Sequence, residues 1–287
     1  MIYLLLSIIS STLIIVLFKL FEKYKANTIQ AIVFNYYSAF FCGIFLYDST
    51  INITEITSSV WFYGAIALGF LFILIFNLMA LTAQRNGLSV ASVAAKMSVV
   101  IPIIFRIVVY KEQAGLQKVI GILFALIAVY LTAVKSNAKF NLRQGLLLPF
   151  AVLLGSGVID TSIKYIETTY LASNGIPIFS ATIFGCAALI GTIILLIKSI
   201  KKDYKFDFKS LLGGLILGVV NYGSIYFLLK ALQFEGLESS TVFTVNNVAI
   251  VMVSTLVGLF LFKEKISKKN WLGIFLAIIS ILLVTLS

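Results

Sequence analysis

The sequence predicts an all-α integral membrane protein of ten transmembrane helices, arranged as two inverted five-helix repeats around a central cavity. Three observations carry this. The composition is 61% hydrophobic and 11% charged, with a mean hydropathy of +1.08, far outside the soluble globular range. Ten apolar runs of about 20 residues fit the 287-residue chain when their connections are short. Finally, the chain repeats itself. Lys111-Glu112 returns as Lys263-Glu264 after an interval of 152, and GILFALIAVYL from Gly121 returns as GIFLAIISILL from Gly273 at the same interval. An odd number of spans per copy inverts the second copy relative to the first.

Runs bounded by charge or turn residues place the spans at 2–21, 29–47, 60–83, 88–110 and 116–134 in the first repeat. The second repeat has them at 145–166, 176–198, 210–232, 239–262 and 271–286. The repeats divide as residues 1–139 and 140–287. The opening run has no basic stretch before it and no small-residue cleavage site, so it reads as a retained span and not a signal peptide. Every span must be a helix, because hydrocarbon offers backbone groups no water and no alternating barrel pattern is present. Glycines at 155, 157, 185, 191, 213, 214 and 218 are expected to let helices approach closely.

Charge orients the spans. Fifteen of the 22 basic residues lie in or beside the odd-numbered loops, whereas the even loops hold Lys111 and Lys118. Retention of Lys and Arg on the cytoplasmic side puts the odd loops inside and both termini outside. The net charge of +11 is mostly this topology signal, and it argues against a nucleic-acid partner, which needs a basic face on a soluble surface. The chain has no histidine, and Cys42 and Cys186 sit in apolar runs. No disulfide framework, metal site or cofactor is expected. No GxxxxGK[ST] loop is present, so ATP is not expected to power this chain.

The ordered set of motifs resembles the EamA family of the drug/metabolite transporter superfamily. SSTLIIVLFK ending at Lys19 is echoed by GSGVIDTSIK ending at Lys164, and ALTAQRNGLSVAS from Ala80 by ALQFEGLESSTVF from Ala231. The Lys-Glu loops precede a glycine-containing last helix in each half. The resemblance covers essentially the whole chain. It implies a ten-helix transporter of inverted repeats whose central cavity is lined mainly by the first, third and fourth helices of each half, and it implies no particular substrate. It departs in two places. Family members keep both termini in the cytoplasm, opposite to the charge count, with Asp48 and Glu55 where a basic loop is expected. The first helix also lacks the glutamate on which related four-span multidrug exporters depend.

Polar groups inside spans mark the candidate site, because a charge at the bilayer centre costs roughly 2.5–3.5 kcal/mol. Lys96 lies about 12 Å into its helix, near mid-depth. Repeat intervals of 149 to 152 map it onto Asn246 and Asn247. Asn221, Tyr222 and Tyr226 in the eighth span and Asn77 in the third complete the candidate substrate-binding set. Asp160 is the one acid within the assigned spans. It is read as pairing with Lys164 four residues on, or as a buried carboxylate that titrates or balances Lys96. Pro102 offers a break six residues after Lys96. Arg106, Lys19 and Lys230, nearer helix ends, read as interfacial anchors, and Lys230 also as a guard of the cavity mouth.

These residues point to a secondary transporter, not an enzyme. It would move a small organic metabolite bearing a carboxylate or phosphate by alternating access in a bacterial inner membrane. The alternative is a multidrug or amphipathic-compound exporter with an aromatic cavity. Partners are then a small-molecule substrate and membrane lipid, and the residues fix no oligomeric state, a monomer being compatible with them. An intramembrane enzyme would need facing acids, a nucleophile with its base, or metal ligands. A channel would need a continuous polar stripe.

Overall fold

The computed structural model describes residues 1–47, 51–109, 111, 115–134, 142–171, 175–201, 205–232 and 239–285, without the side chains of residues 142–144, 176, 239 and 240. Asp48, Glu112 and Gly236 lie outside the described residues. So do several loop cations of the charge count and the boundary at 139/140.

The described chain forms α1 (Ile2–Lys23), α2 (Thr28–Phe45), α3 (Ile53–Ser58), α4 (Trp61–Arg85), α5 (Leu88–Met97), α6 (Val100–Val109), α7 (Leu116–Ala133), α8 (Leu142–Tyr170), α9 (Ile176–Ile200), α10 (Phe208–Leu232), α11 (Ser239–Leu261) and α12 (Lys268–Thr285). With α5 and α6 taken as one span, ten segments among the described residues are long and apolar enough to cross a membrane. The protein is an integral membrane protein. The sixth span is a turn longer than expected, so Glu167 joins Asp160 inside a helix. Period alone could not show this, because the polar run Glu167-Thr168-Thr169 ends the apolar signal before the helix ends.

The two compact units do not follow chain order. One comprises residues 1–20, 78–158 and 223–287, and the other residues 21–77 and 159–222. Each draws on corresponding stretches of both sequence halves.

In the first unit, α7 packs on α12 and α5 on α11, helices that correspond in the two halves. A Cβ on Gly121 would strike Val284, and one on Gly273 would strike Thr132. Gly121 and Gly273 are 152 residues apart, and so are Thr132 and Val284. The contact is therefore reciprocal, the start of each helix against the end of the other, and the pair packs antiparallel. Around it a core of Val93, Met97, Val129, Leu153, Val251 and Ile281 excludes solvent. Asn270, from the start of α12, donates to the carbonyls of Leu131, Thr132 and Val134 at 2.7–3.1 Å, which closes the end of α7 where carbonyls lack helical partners.

In the second unit α2 packs on α9. A Cβ at Gly214 or Gly218 of α10 would overlap the backbone oxygens of Ala31 or Asn35 in α2, so these glycines permit a close crossing as expected. Buried Tyr36 sits among Phe72, Phe76 and Phe184 at ring distances of 5.5–6.3 Å. At the helix starts, Asn27 caps α2 through the Gln30 amide. Ser210 accepts from the Asn27 amide at 2.7 Å and donates to Asp207 at 2.6 Å. These bonds hold the Asp207 carboxyl below the usual aspartate range.

Candidate functional site

The fourth span is broken, and proline chemistry explains where. Pro102 has no N–H to give the Ser98 carbonyl, and its ring crowds that residue. The Ser98 oxygen instead accepts from Ile101 at 2.9 Å, and α5 stops at Met97 before α6 restarts at Val100. The break thus falls four residues before the proline. It places Lys96 in the last turn of α5, where the partial negative charge of a helix end favours a cation. α11, which carries Asn246 and Asn247, has no proline and runs unbroken.

A second proline has a different outcome. Pro149 lies within α8, where its missing N–H frees the Gly145 carbonyl. Asn86 donates to that oxygen at 2.9 Å, and the helix continues.

The candidates divide between the units. In the first, α5 bearing half-buried Lys96 packs on α11. Asn246 of α11 is 2% exposed, and its buried Oδ1 has no hydrogen-bond partner among the described residues. Asn247 is half-buried. Tyr226 carries the Lys230 ammonium 5.9 Å above its ring, which gives that lysine a local partner in its own helix.

In the second unit Asn221 donates to Asn35 at 3.2 Å, an interhelical bond from α10 to α2. The ring of Tyr222 stands against Gly43. Asn77 returns its amide to the Ile73 carbonyl of its own helix at 2.8 Å. Two expectations for α8 are corrected. Lys164 makes its ion pair with Glu167 at 3.2 Å, one turn further on, and not with Asp160. Asp160 is exposed, not buried. Buried Ile159 and Ile166 define the packed face of this stretch, and a step of 100° per residue carries Asp160 and Lys164 off it.

Sequence reasoning missed Asn35, Asn86, Asn270 and the role of Glu264. Glu264 stood out only as half of a repeated dipeptide. Both its oxygens accept from the Leu88 amide, at 2.9 and 3.1 Å, and so cap α5. The N-cap itself is Gly87, at φ +113° and without a side-chain bond, where a side chain would collide with the carboxylate. Lys111 and Lys263 share left-handed backbone, φ +53° and +52°, so the two lysines repeat in conformation as well as in sequence. Beside the Glu264 cap lies a cavity of about 530 Å³.

Among the described residues no cluster of His, Cys, Asp or Glu could hold a metal ion. Ten apolar helices, one broken beside an intramembrane lysine, define the class of polytopic α-helical membrane proteins built around polar interruptions. Residues 144–286 match the EamA-like transporter family, and the chain belongs to that family, part of the drug/metabolite transporter superfamily. Over 285 residues the chain is 29% identical to an uncharacterized protein of Haemophilus influenzae, covering 96% of this chain and 94% of that relative.

Proposed function

We propose that this protein is a secondary transporter that carries a small organic metabolite with a carboxylate or phosphate group across the membrane by alternating access, with no catalytic chemistry. The observation that carries the reading is the position of Lys96, an intramembrane cation at the end of a broken helix. Discontinuous spans near mid-depth are where secondary transporters bind substrate. Asn246, on the packed partner helix α11, supports it. An unpaired buried amide oxygen costs about 1–3 kcal/mol, which a substrate N–H or O–H would recover. Lys96 holds the anionic group, and Asn247 and Tyr226, in the same compact unit, border it.

The inverted-repeat reading rests on the reciprocal contact of Gly121 with Val284 and Gly273 with Thr132. An antiparallel pair with matching contacts is what a two-fold axis in the membrane plane produces. The division at 139/140, the outward termini and the bacterial inner membrane belong to the same proposal.

The test is a thermal-shift screen of detergent-purified wild type and Lys96→Met against pooled anionic, zwitterionic and cationic metabolites. Stabilisation by acids in wild type alone is expected. Equal stabilisation of both proteins by cations or apolar compounds would overturn it in favour of an exporter of amphipathic compounds.

A further inference from the structure

Three cations, Lys19, Arg85 and Lys265, and one acid, Glu264, line the cavity of about 530 Å³ at the start of α5. Their sum is a net charge of +2. The Lys19 ammonium is fixed there by donating to the Gln84 carbonyl at 2.6 Å, while Arg85 and Lys265 are exposed at the rim. Glu264 is committed to the Leu88 amide. The next two amides, those of Ser89 and Val90, open the helix without intrahelical partners, and both residues line the cavity. The Ser89 side chain is only 5% exposed, and among the described residues its hydroxyl has no hydrogen-bond partner. The hydroxyl of a largely buried serine and two amides without helical partners, at a helix N-terminus in a cavity lined by three cations and one acid, form an anion receptor.

We infer that this cavity binds a phosphate group. A dianion matches the net charge of the lining, and a tetrahedral oxyanion has enough acceptors for the Ser89 hydroxyl, the Ser89 and Val90 amides and the rim cations together. The phosphate belongs either to a soluble metabolite or to a lipid headgroup, two sources of one chemistry. Ser89 and Lys96 are seven residues apart, so they share a face of α5 about 10 Å apart along its axis. A phosphate held here lies on the approach to the proposed substrate lysine, although binding at the cavity does not depend on the transport reading.

The experiment has two arms on the full chain. Inorganic phosphate is titrated against detergent-purified protein at ionic strength held constant with chloride, with melting temperature as the readout. Separately, the protein is taken from nanodiscs of equal parts phosphatidylglycerol and phosphatidylcholine, and native mass spectrometry identifies the lipid retained. Saturable stabilisation by phosphate assigns a soluble ligand, and selective retention of phosphatidylglycerol assigns a lipid. In either arm Arg85→Gln/Lys265→Gln weakens the effect about tenfold or more. Ser89→Ala weakens it several-fold, and the titration is repeated in Lys96→Met, where the stabilisation that remains is the part this cavity supplies. The rim substitutions are at exposed positions, and an unaltered melting temperature without ligand verifies folding. No phosphate effect beyond chloride together with no lipid selectivity overturns the inference, as does an equal effect in wild type and the double variant. Loss of acid binding at Lys96→Met with this site intact separates the two proposals.

Discussion

Glu264 caps a helix that begins 176 residues earlier: its two carboxylate oxygens receive the Leu88 amide at 2.9 and 3.1 Å. The connection between α11 and α12 is thereby tied to the start of the half-helix that carries Lys96. Gly87, at φ +113°, and Gly258 leave room for the carboxylate, because a Cβ at either would collide with it.

Removing this cap should destabilise the protein by about 0.5–2 kcal/mol in Glu264→Ala, the range found for N-cap losses. Glu264→Gln retains an acceptor and should lose less. Gly87→Ala should be worse than either, since it combines a left-handed backbone with a collision. Melting temperatures in one detergent would rank the three, and a Gly87→Ala protein as stable as wild type would contradict the geometry.

The reciprocal glycines should respond unequally. A methyl at Gly121 meets the Val284 side chain, whereas one at Gly273 meets the Thr132 amide and the Ala128 carbonyl. Overpacking costs typically about 1–3 kcal/mol, and backbone yields less than a side chain. Val284→Ala should therefore rescue Gly121→Ala, and Thr132→Ser should not rescue Gly273→Ala. A double-mutant cycle on thermal stability measures both.

Asn86 and Pro149 should be coupled through the Gly145 carbonyl. Asn86→Leu strands a buried acceptor, with an expected loss of about 1–3 kcal/mol. In a Pro149→Ala background the helix can supply its own N–H, so the same substitution should cost less. Equal losses in both backgrounds would show that the Asn86 bond does not compensate for the proline.

Pro102→Ala should close the break between α5 and α6 by restoring the donor to the Ser98 carbonyl. Stability should rise, since an interior proline costs about 3 kcal/mol. Transport should slow if the broken span flexes during the cycle. Uptake assays in proteoliposomes, with melting curves alongside, give both readouts.

The Asp207 carboxyl titrates below its ordinary value, chiefly because Ser210 donates to it. Its contribution to stability is complete above the unfolded value of about 3.9. The contribution is lost as pH falls through the lower folded value. Asp207→Asn should flatten this acid limb of a melting-temperature profile and leave the neutral region little changed by comparison.

How much of this was legible in the chain follows from the range of each signal. Helix identity, number and approximate ends are local properties: hydrocarbon forces backbone bonding within each span, and hydropathy reports the span directly. The Lys-Glu dipeptides were visible as a repeat, and the shared left-handed backbone of Lys111 and Lys263 appears only in the structure. Lys96 and its counterparts Asn246 and Asn247 were singled out as candidates by depth and interval. Asn35, Asn86, Asn270 and the capping role of Glu264 were not, because each acts on an atom more than 50 residues away.

The sequence by itself determined the membrane class, the ten spans, the repeat and the polar interruptions, since all depend on residue type and short spacing. Tertiary structure alone decided which groups became partners. It sent Lys164 to Glu167, exposed Asp160, moved the break from Pro102 back to Ser98 and left the Asn246 oxygen unpaired. Hydrogen bonds and close packing are won or lost over a few tenths of an ångström, a precision that composition and periodicity do not contain.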